Sequence, residues 1–193
     1  MKQTIYNTIM TNFTGGNVLL NIDIIIKKSQ IGEKMKVADL GCGGSGYFVF
    51  PISKVVGKKG KIYAVDILKP ALERIDRRAR QESYPNIETI WSDLEIFGAT
   101  KIESGSLDAA MLINTLHLSH KRVEILREAI RMLKKGGKII VIDWSNVAAP
   151  LGPPPEERVQ INSLKKAAQK LGLSLLEEFE PGFYHYGLIF TKI

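Results

Sequence analysis

Val37-Ala38-Asp39-Leu40-Gly41-Cys42-Gly43-Gly44-Ser45-Gly46 is the stretch from which the rest of the chain is read. A short apolar run enters it and Tyr47-Phe48-Val49-Phe50 follows, so the order is strand, glycine-rich turn, helix. Glycines let a ligand approach bare backbone and accept unusual φ/ψ. A helix predicted over Gly46–Val56, with Pro51 in its first turns, would aim free N–H groups and a partial positive charge at whatever lies above the turn. Asp39 sits two residues before the first glycine. A negative charge there suits a ligand with a cationic end better than a pyrophosphate.

Outward from this turn, strands and helices alternate. Strands are predicted at Met35–Leu40, Lys61–Ile67, Ile87–Trp91, Leu107–Ile113 and Lys138–Trp144. Helices are predicted from Pro70 to about Ser83, over Arg122–Leu133, and from Glu156 to about Lys170. The first two of these carry apolar residues on one face (Ala71, Leu72, Ile75, Ala79; Val123, Leu126, Ile130, Leu133). Lys134-Lys135-Gly136-Gly137 supplies the cations and glycine that end a helix. Two further strands, about Ser174–Phe179 and Tyr184–Thr191, should pair antiparallel across a turn at Glu180-Pro181-Gly182-Phe183. Residues 1–16 are polar, Thr14-Gly15-Gly16 reads as a turn, and Asn17 to about Lys28 reads as a helix-like segment. The alternation implies an α/β fold, a Rossmann-like three-layer sandwich around a mostly parallel, doubly wound sheet.

In such a sheet a ligand binds beyond the carboxyl ends of the strands, near the switch in strand order. The five strand ends carry Asp39, Asp66, Ser92-Asp93, Asn114 and Asp143. Asp66, about 25 residues after the first glycine, is placed for the hydroxyls of a ribose and would repel a 2′-phosphate. Ile67 and Leu94 follow acids at adjacent strand ends and could sandwich a purine, with Asp93 accepting from an exocyclic amine. Read alone, Asp93 is a loop turn residue. Gly41-x-Gly43-x-x-Gly46 also fits a dinucleotide fingerprint. Asp39 beside a pyrophosphate and the antiparallel pair after five strand–helix units count against that reading.

Composition sets the frame. The 193 residues form one domain, 45% hydrophobic and 24% charged, as expected of a soluble globular protein. No apolar run approaches the roughly 18 residues that span a membrane. Cys42 is the single cysteine, which excludes an internal disulfide and a multi-cysteine zinc site; no metal is called for, and the cytoplasm is the expected location. The net charge of +7 is spread along the chain, mostly near helix ends, and permits an anionic partner without requiring one.

With these residues in place the chain resembles a class I S-adenosylmethionine (SAM)-dependent methyltransferase, nearest the ubiquinone/menaquinone-type (type 11-like) branch. The likeness runs from about Met35 to Ile193. It is carried by Val37–Gly43, Ile62–Ile67, Trp91-Ser92-Asp93-Leu94, Leu107–Asn114 and Leu133–Asp143. One departure is the third glycine, displaced to Gly46 with Ser45 in its usual place. The resemblance implies a seven-stranded sheet in the order 3-2-1-4-5-7-6 with strand seven antiparallel. It implies SAM as cofactor, with S-adenosylhomocysteine (SAH) as product, over Asp39, Gly41, Cys42, Gly43, Asp66, Ile67, Ser92, Asp93, Leu94 and Asn114. Residues 1–30 and the Gly152–Pro155 loop would form a lid.

The sulfonium is already an activated leaving group, so alignment is the main catalytic task; a base is needed only where the acceptor must lose a proton. His117, three residues past Asn114, is the candidate base, or else a loop histidine capping a helix. His120 reads as a surface residue, and His185, among Phe183, Tyr184 and Tyr186, as packing. Cys42 reads as a backbone contact. Asn114-Thr115-Leu116-His117 lacks the Pro-Pro-aromatic signature of base-amine methylation. O-, C-, S- and small-molecule N-methylation stay open. The resemblance to the ubiquinone/menaquinone-type branch, with no large added domain, implies a small-molecule acceptor; RNA or protein, or cofactor binding without catalysis, are the alternatives.

Overall fold

The computed structural model describes residues 17–149 and 151–193. Seven strands form one sheet: β1 (Lys36–Leu40), β2 (Lys61–Asp66), β3 (Ile87–Trp91), β4 (Leu107–Ile113), β5 (Leu133–Trp144), β6 (Leu173–Gly182) and β7 (His185–Lys192). Their order is β3-β2-β1-β4-β5-β7-β6. The strands from β3 to β5 pair in parallel, while β7 runs antiparallel to both β5 and β6. The chain leaves β1 toward β2 and returns on its other side as β4, so the switch in strand order falls between β1 and β4. The first glycine turn sits at that point.

Among the described residues, five α-helices cover the sheet: α1 (Ile22–Ser29), α2 (Val49–Val56), α3 (Lys69–Gln81), α4 (Arg122–Met132) and α5 (Ile161–Lys170). Alternation along the strands divides the interior into two layers. Val37, Ile62, Ala64, Met111 and Ile140 pack with Ile25, Ile52 and Ile75 of α1–α3. Ala38, Val65, Leu112 and Val141 pack with Leu126, Ala129, Leu164 and Ala168 of α4 and α5. The same alternation puts Asp39 and Asp66 on the α1–α3 side and Asp143 on the α4–α5 side.

Several boundaries differ from the sequence-based expectation, each because a tertiary contact wins. Helix α2 starts at Val49, not Gly46, since the glycine loop is tied to β2 as described below. The helix expected from Glu156 is a 3-10 turn, Pro155–Glu157, followed by α5 from Ile161. Between them the Arg158 guanidinium is buried and donates to the carbonyls of Pro153, Ser145 and Val147. Strand β5 begins at Leu133, and residues 134–137 bulge between the pairs Leu107↔Leu133 and Ala109↔Lys138. Strand β6 continues through Pro181 and Gly182, which moves the turn to Phe183-Tyr184. Pro181 is tolerated because β6 is an edge strand, and its carbonyl accepts from Asn21 N at 2.8 Å. Asn17–Lys28 divides into a 3-10 turn (Asn17–Leu19) and α1, capped by Asn21 Oδ1 accepting from Ile24 N at 3.1 Å. The Thr14-Gly15-Gly16 turn and the first half of the expected lid lie outside the described residues.

Candidate functional site

The carboxyl ends of β1–β4 surround a cleft of about 530 Å³. Gly41, Cys42, Gly43, Asp66, Ile67, Ser92, Asp93, Leu94 and Asn114 all line it. Asp39, the remaining residue of the expected cofactor set, is buried beside it at the end of β1. The turn is built for close approach. Gly41 and Gly43 have φ of +84° and +62°, a region that favours glycine. A side chain at Gly41 would meet Thr115 at 2.7 Å, whereas nothing lies within 4 Å of where one would start at Gly43.

The backbone of this turn is committed in a way the sequence does not reveal. Gly41 N and Cys42 N both donate to Val65 O, at 2.8 and 3.1 Å. Gly43 N donates to Asp66 Oδ2 at 2.8 Å, and Leu68 N to Asp66 Oδ1 at 2.9 Å. The N–H groups of Gly41, Cys42 and Gly43 therefore tie the turn to β2 instead of pointing free at a ligand. Asp66 holds two backbone donors and keeps further lone pairs for a ligand hydroxyl.

Asp39 is the opposite case. Its Oδ2 is buried with no hydrogen-bond partner. Burial, reinforced by the charge of Asp66, pushes its carboxyl up to about 7. Such a group is strongly disfavoured as a lone anion and becomes favourable once a cation reaches it. Asn114, in the left-handed region at φ +53°, ends β4. Its Nδ2 donates to Asn17 Oδ1 at 2.9 Å, while its own Oδ1 is buried and unpartnered. The turn thus offers an unpartnered carboxylate oxygen, an unpartnered amide oxygen and an open glycine side by side with the cleft.

The other expected residues divide. Ile67 is exposed and Leu94 buried, so one side of the expected purine slot is open surface and the other is core. Asp93 Oδ1 accepts from Glu95 N at 2.9 Å, the turn-residue arrangement, while the residue still lines the cleft. Ser92 Oγ is bonded to Thr100 Oγ1 at 2.9 Å. Burial, and then the charges of Asp39 and Asp66, raise the Cys42 thiol well above its ordinary range, so it stays protonated and is not a nucleophile. His117 is not among the lining residues. It follows Asn114 and Thr115 in sequence, in the 3-10 turn Leu116–Leu118, and bonds to Asp143 rather than capping a helix. His120 is exposed, and His185 is buried against Trp144 with ring centroids 4.3 Å apart. Asn17, Arg74, Thr115 and Leu118 also line the cleft. No motif announced them; only the helical phase of Arg74, one turn beyond Pro70, could have suggested its approach to Gly44.

Sheet order, glycine turn and strand-end acids together define a class: the class I SAM-dependent methyltransferases, here of the type 11-like branch. Residues 31–178 match the family described as Methyltransferase domain, and the chain belongs to that family. It is 27% identical over 156 residues to the demethylmenaquinone methyltransferase of Lactococcus lactis subsp. lactis, covering 77% of this chain and 60% of that protein. It is 30% identical over 132 residues to the arsenite methyltransferase of Homo sapiens, covering 65% of this chain and 34% of that one. The chain thus spans less than two thirds of the length of either relative. Among solved structures, a SAM-dependent methyltransferase from Aquifex aeolicus superposes with a TM-score of 0.84 over 97% of this chain and 98% of that one. At 23% identity this likeness speaks to the fold alone. No helix among the described residues is long and apolar enough to cross a membrane.

Proposed function

We infer that the protein transfers the methyl group of SAM to a small-molecule acceptor. The observation that carries the reading is the buried Asp39 carboxyl, its Oδ2 without a partner, beside two left-handed glycines at the β1/β4 switch. SAM supplies an electrophilic methyl on a sulfonium. Asp39 would neutralise the amino group of its methionine end, and Asp66 would accept from the ribose hydroxyls while keeping Gly43 in place. Ile67 and Leu94 would flank the adenine, and Asp93 and Asn114 would hydrogen-bond the two ends. Residues 17–30 would act as part of a lid, since Asn17 already reaches Asn114 and Asn21 the β6 edge.

A small acceptor is favoured by the charge of the cleft. Asp66, Asp93 and Glu95 line it against Arg74 as the one cation among the described lining residues. That balance repels a polyphosphate chain. Among small acceptors, a thiophilic substrate such as arsenite finds a single cysteine here, buried and held as the thiol, where soft-ion chemistry calls for thiolates. A quinol-like or other oxygen-bearing acceptor suits the site better.

Calorimetric titration with SAM and SAH tests the cofactor half of the reading, and incubation with methyl-labelled SAM and separated metabolite, RNA and protein pools tests the acceptor half. SAH binding with label appearing in the metabolite pool is expected. Absence of SAH binding overturns the whole reading, and label confined to RNA or protein overturns the small-molecule part.

A further inference from the structure

We propose that the amino-terminal edge of the sheet, opposite the cleft, is a docking surface for duplex nucleic acid, held by a row of lysines that contacts the phosphate backbone without reading bases. The inference stands apart from the methyl-transfer reading: it concerns the other edge of the molecule and names no acceptor.

Strand direction gathers the cations. Because β1, β2, β4 and β5 run parallel, the turns that enter them open on one edge, and β7 ends there because it runs antiparallel to β5. Two of these turns are lysine pairs beside glycines: Gly57-Lys58-Lys59-Gly60 before β2, and Lys134-Lys135-Gly136-Gly137 at the start of β5. The register fills the gap between them. Lys36 opens β1 opposite Lys61 of β2; one residue on, Val37, Ala109 and Lys138 stand in line across β1, β4 and β5. Thr191, beside Lys192, faces Lys138 from β7. At a strand spacing of about 4.8 Å, the four steps from β2 to β7 make a row about 19 Å long. The cleft edge carries the opposite sign, with Asp39, Asp66, Asp93, Glu95 and Asp143. Charge that is spread along the sequence is segregated in space.

The row is under-compensated. Glu88 engages Lys61 and Asp108 engages Lys134. Lys34, Lys58, Lys59 and Lys135 are exposed and form no ion pair among the described residues. Lys138 and Lys192 are held by neutral oxygens, Gln30 Oε1 for the first and the carbonyls of Ile130 and Leu133, both at 2.7 Å, for the second. Their charge is fixed in place without being neutralised. Cations in the last turn of a helix answer its macrodipole, which accounts for Lys54 of α2 and Arg131 of α4. Lys58, Lys59 and Lys135 lie beyond those turns. A merely solvated surface interleaves both signs. A ridge of one sign matches the phosphates of a duplex, where each phosphate neutralised releases a counterion. The two lysine turns carry no aromatic or large apolar side chain. Single-strand stacking, insertion into a membrane interface and the anchoring of a protein partner all draw on such side chains, whereas contact with a duplex backbone does not.

The test is fluorescence anisotropy of a labelled DNA duplex of about 24 base pairs, titrated with the whole chain over a range of salt concentrations. Affinity should be indifferent to sequence, and its logarithm should fall against the logarithm of salt with a slope of about −5, as five or six phosphate contacts require. Lys59→Gln/Lys135→Gln, one change in each turn, should bring that slope about 2 closer to zero and weaken binding roughly tenfold or more at low salt. Lys69→Gln/Lys121→Gln removes the same charge at the cleft edge and should leave the slope nearly unchanged. All four lysines are exposed, and thermal melts check that each variant is folded; Lys135→Gln alone, with about half the slope change, serves if the double variant is not. The same titration against vesicles of phosphatidylserine and phosphatidylcholine should show weaker binding at equal phosphate. Absence of duplex binding at low salt, or equal losses in the two double variants, overturns the proposal. Tighter binding to the vesicles also overturns it, by assigning the ridge to lipid headgroups.

Discussion

Replacing Asp39 by asparagine should stabilise the cofactor-free protein while crippling cofactor binding. The folded carboxyl is pushed up to about 7 against an ordinary value of 3.8, so between those values the folded state holds a proton that the unfolded chain has lost. Stability therefore falls as pH rises from about 4 to about 7, and the cost is complete above that. Three pKa units at about 1.4 kcal/mol each set a ceiling of about 4 kcal/mol. Asparagine keeps the shape without the charge, but its amide must find a partner at a cost of about 1–3 kcal/mol. The net gain at pH 8 is about 1–3 kcal/mol, which in a domain of this size raises the melting temperature by about 3–10 °C. Below about pH 4, where the wild-type carboxyl is neutral in both states, the advantage disappears. SAH affinity should move the other way. Losing one charge-assisted contact costs about 1.5–3 kcal/mol, or roughly 10- to 100-fold. Wild-type affinity should rise roughly tenfold from pH 6 to pH 8, and the variant's should stay flat. Thermal melts and SAH titrations across this range decide the matter. A variant that melts below the wild type at pH 8, or that binds SAH as tightly, refutes the reasoning.

Three other substitutions probe different links. Asp66→Ala removes the acceptor for Gly43 N and Leu68 N as well as the proposed ribose contact; calorimetry should show SAM affinity falling at least tenfold, with a melting temperature lowered by several degrees, and unchanged affinity contradicts the assignment. Gly41→Ala forces a side chain into a left-handed residue and onto Thr115, so urea denaturation should show a loss of about 1–3 kcal/mol; a neutral result would mean the turn adopts another conformation. Burial works to raise the Glu128 carboxyl, but Arg131 and the N–H groups of Gly98 and Thr100 outweigh it and hold it at about 2. Its contribution is thus present above about pH 4.5 and lost as pH falls through 2. Glu128→Gln should lower stability at pH 7 by about 2 kcal/mol and bring its acid sensitivity closer to zero, as acid titration of both proteins followed by circular dichroism would show.

The sheet was legible because its signals are local. Period-two burial, turn residues between strands and one apolar face on α3 and α4 each reside within a dozen residues. The acids and amides that end the strands were legible for the same reason: strand ends in a parallel sheet share an edge. What escaped depends on partners far away in sequence. The start of α2 is displaced by three residues because Val65 and Asp66, on another strand, bind the glycine loop. The interruption at 158–160 arises from a buried arginine reaching carbonyls 5 to 13 residues before it. His117 was visible as a residue, but its partner Asp143 lies 26 residues on, and nothing in the spacing links the two.

The distribution of unsatisfied groups gives the site a physical rationale. Away from the carboxyl edge, the buried polar side chains are served: Asn86 by Ser53 and Gly57, Glu128 by Arg131 and two backbone donors, Ser29 by the Ile26 carbonyl. The buried side-chain atoms without partners, among the described residues, belong to Asp39, Asn114, Trp144 and His185. These sit at the ends of β1, β4 and β5 and at the start of β7, all on one edge of the sheet. Antiparallel β7 brings His185 to that edge because it pairs with Trp144. Each orphan atom costs about 1–3 kcal/mol, a burden that the two apolar layers flanking the sheet must offset. A chain selected for stability alone would have no reason to gather such atoms in one place. Asp39 and Asn114 flank the strand-order switch itself, which is where a protein needs such atoms if a polar, partly cationic ligand is to complete its hydrogen bonding.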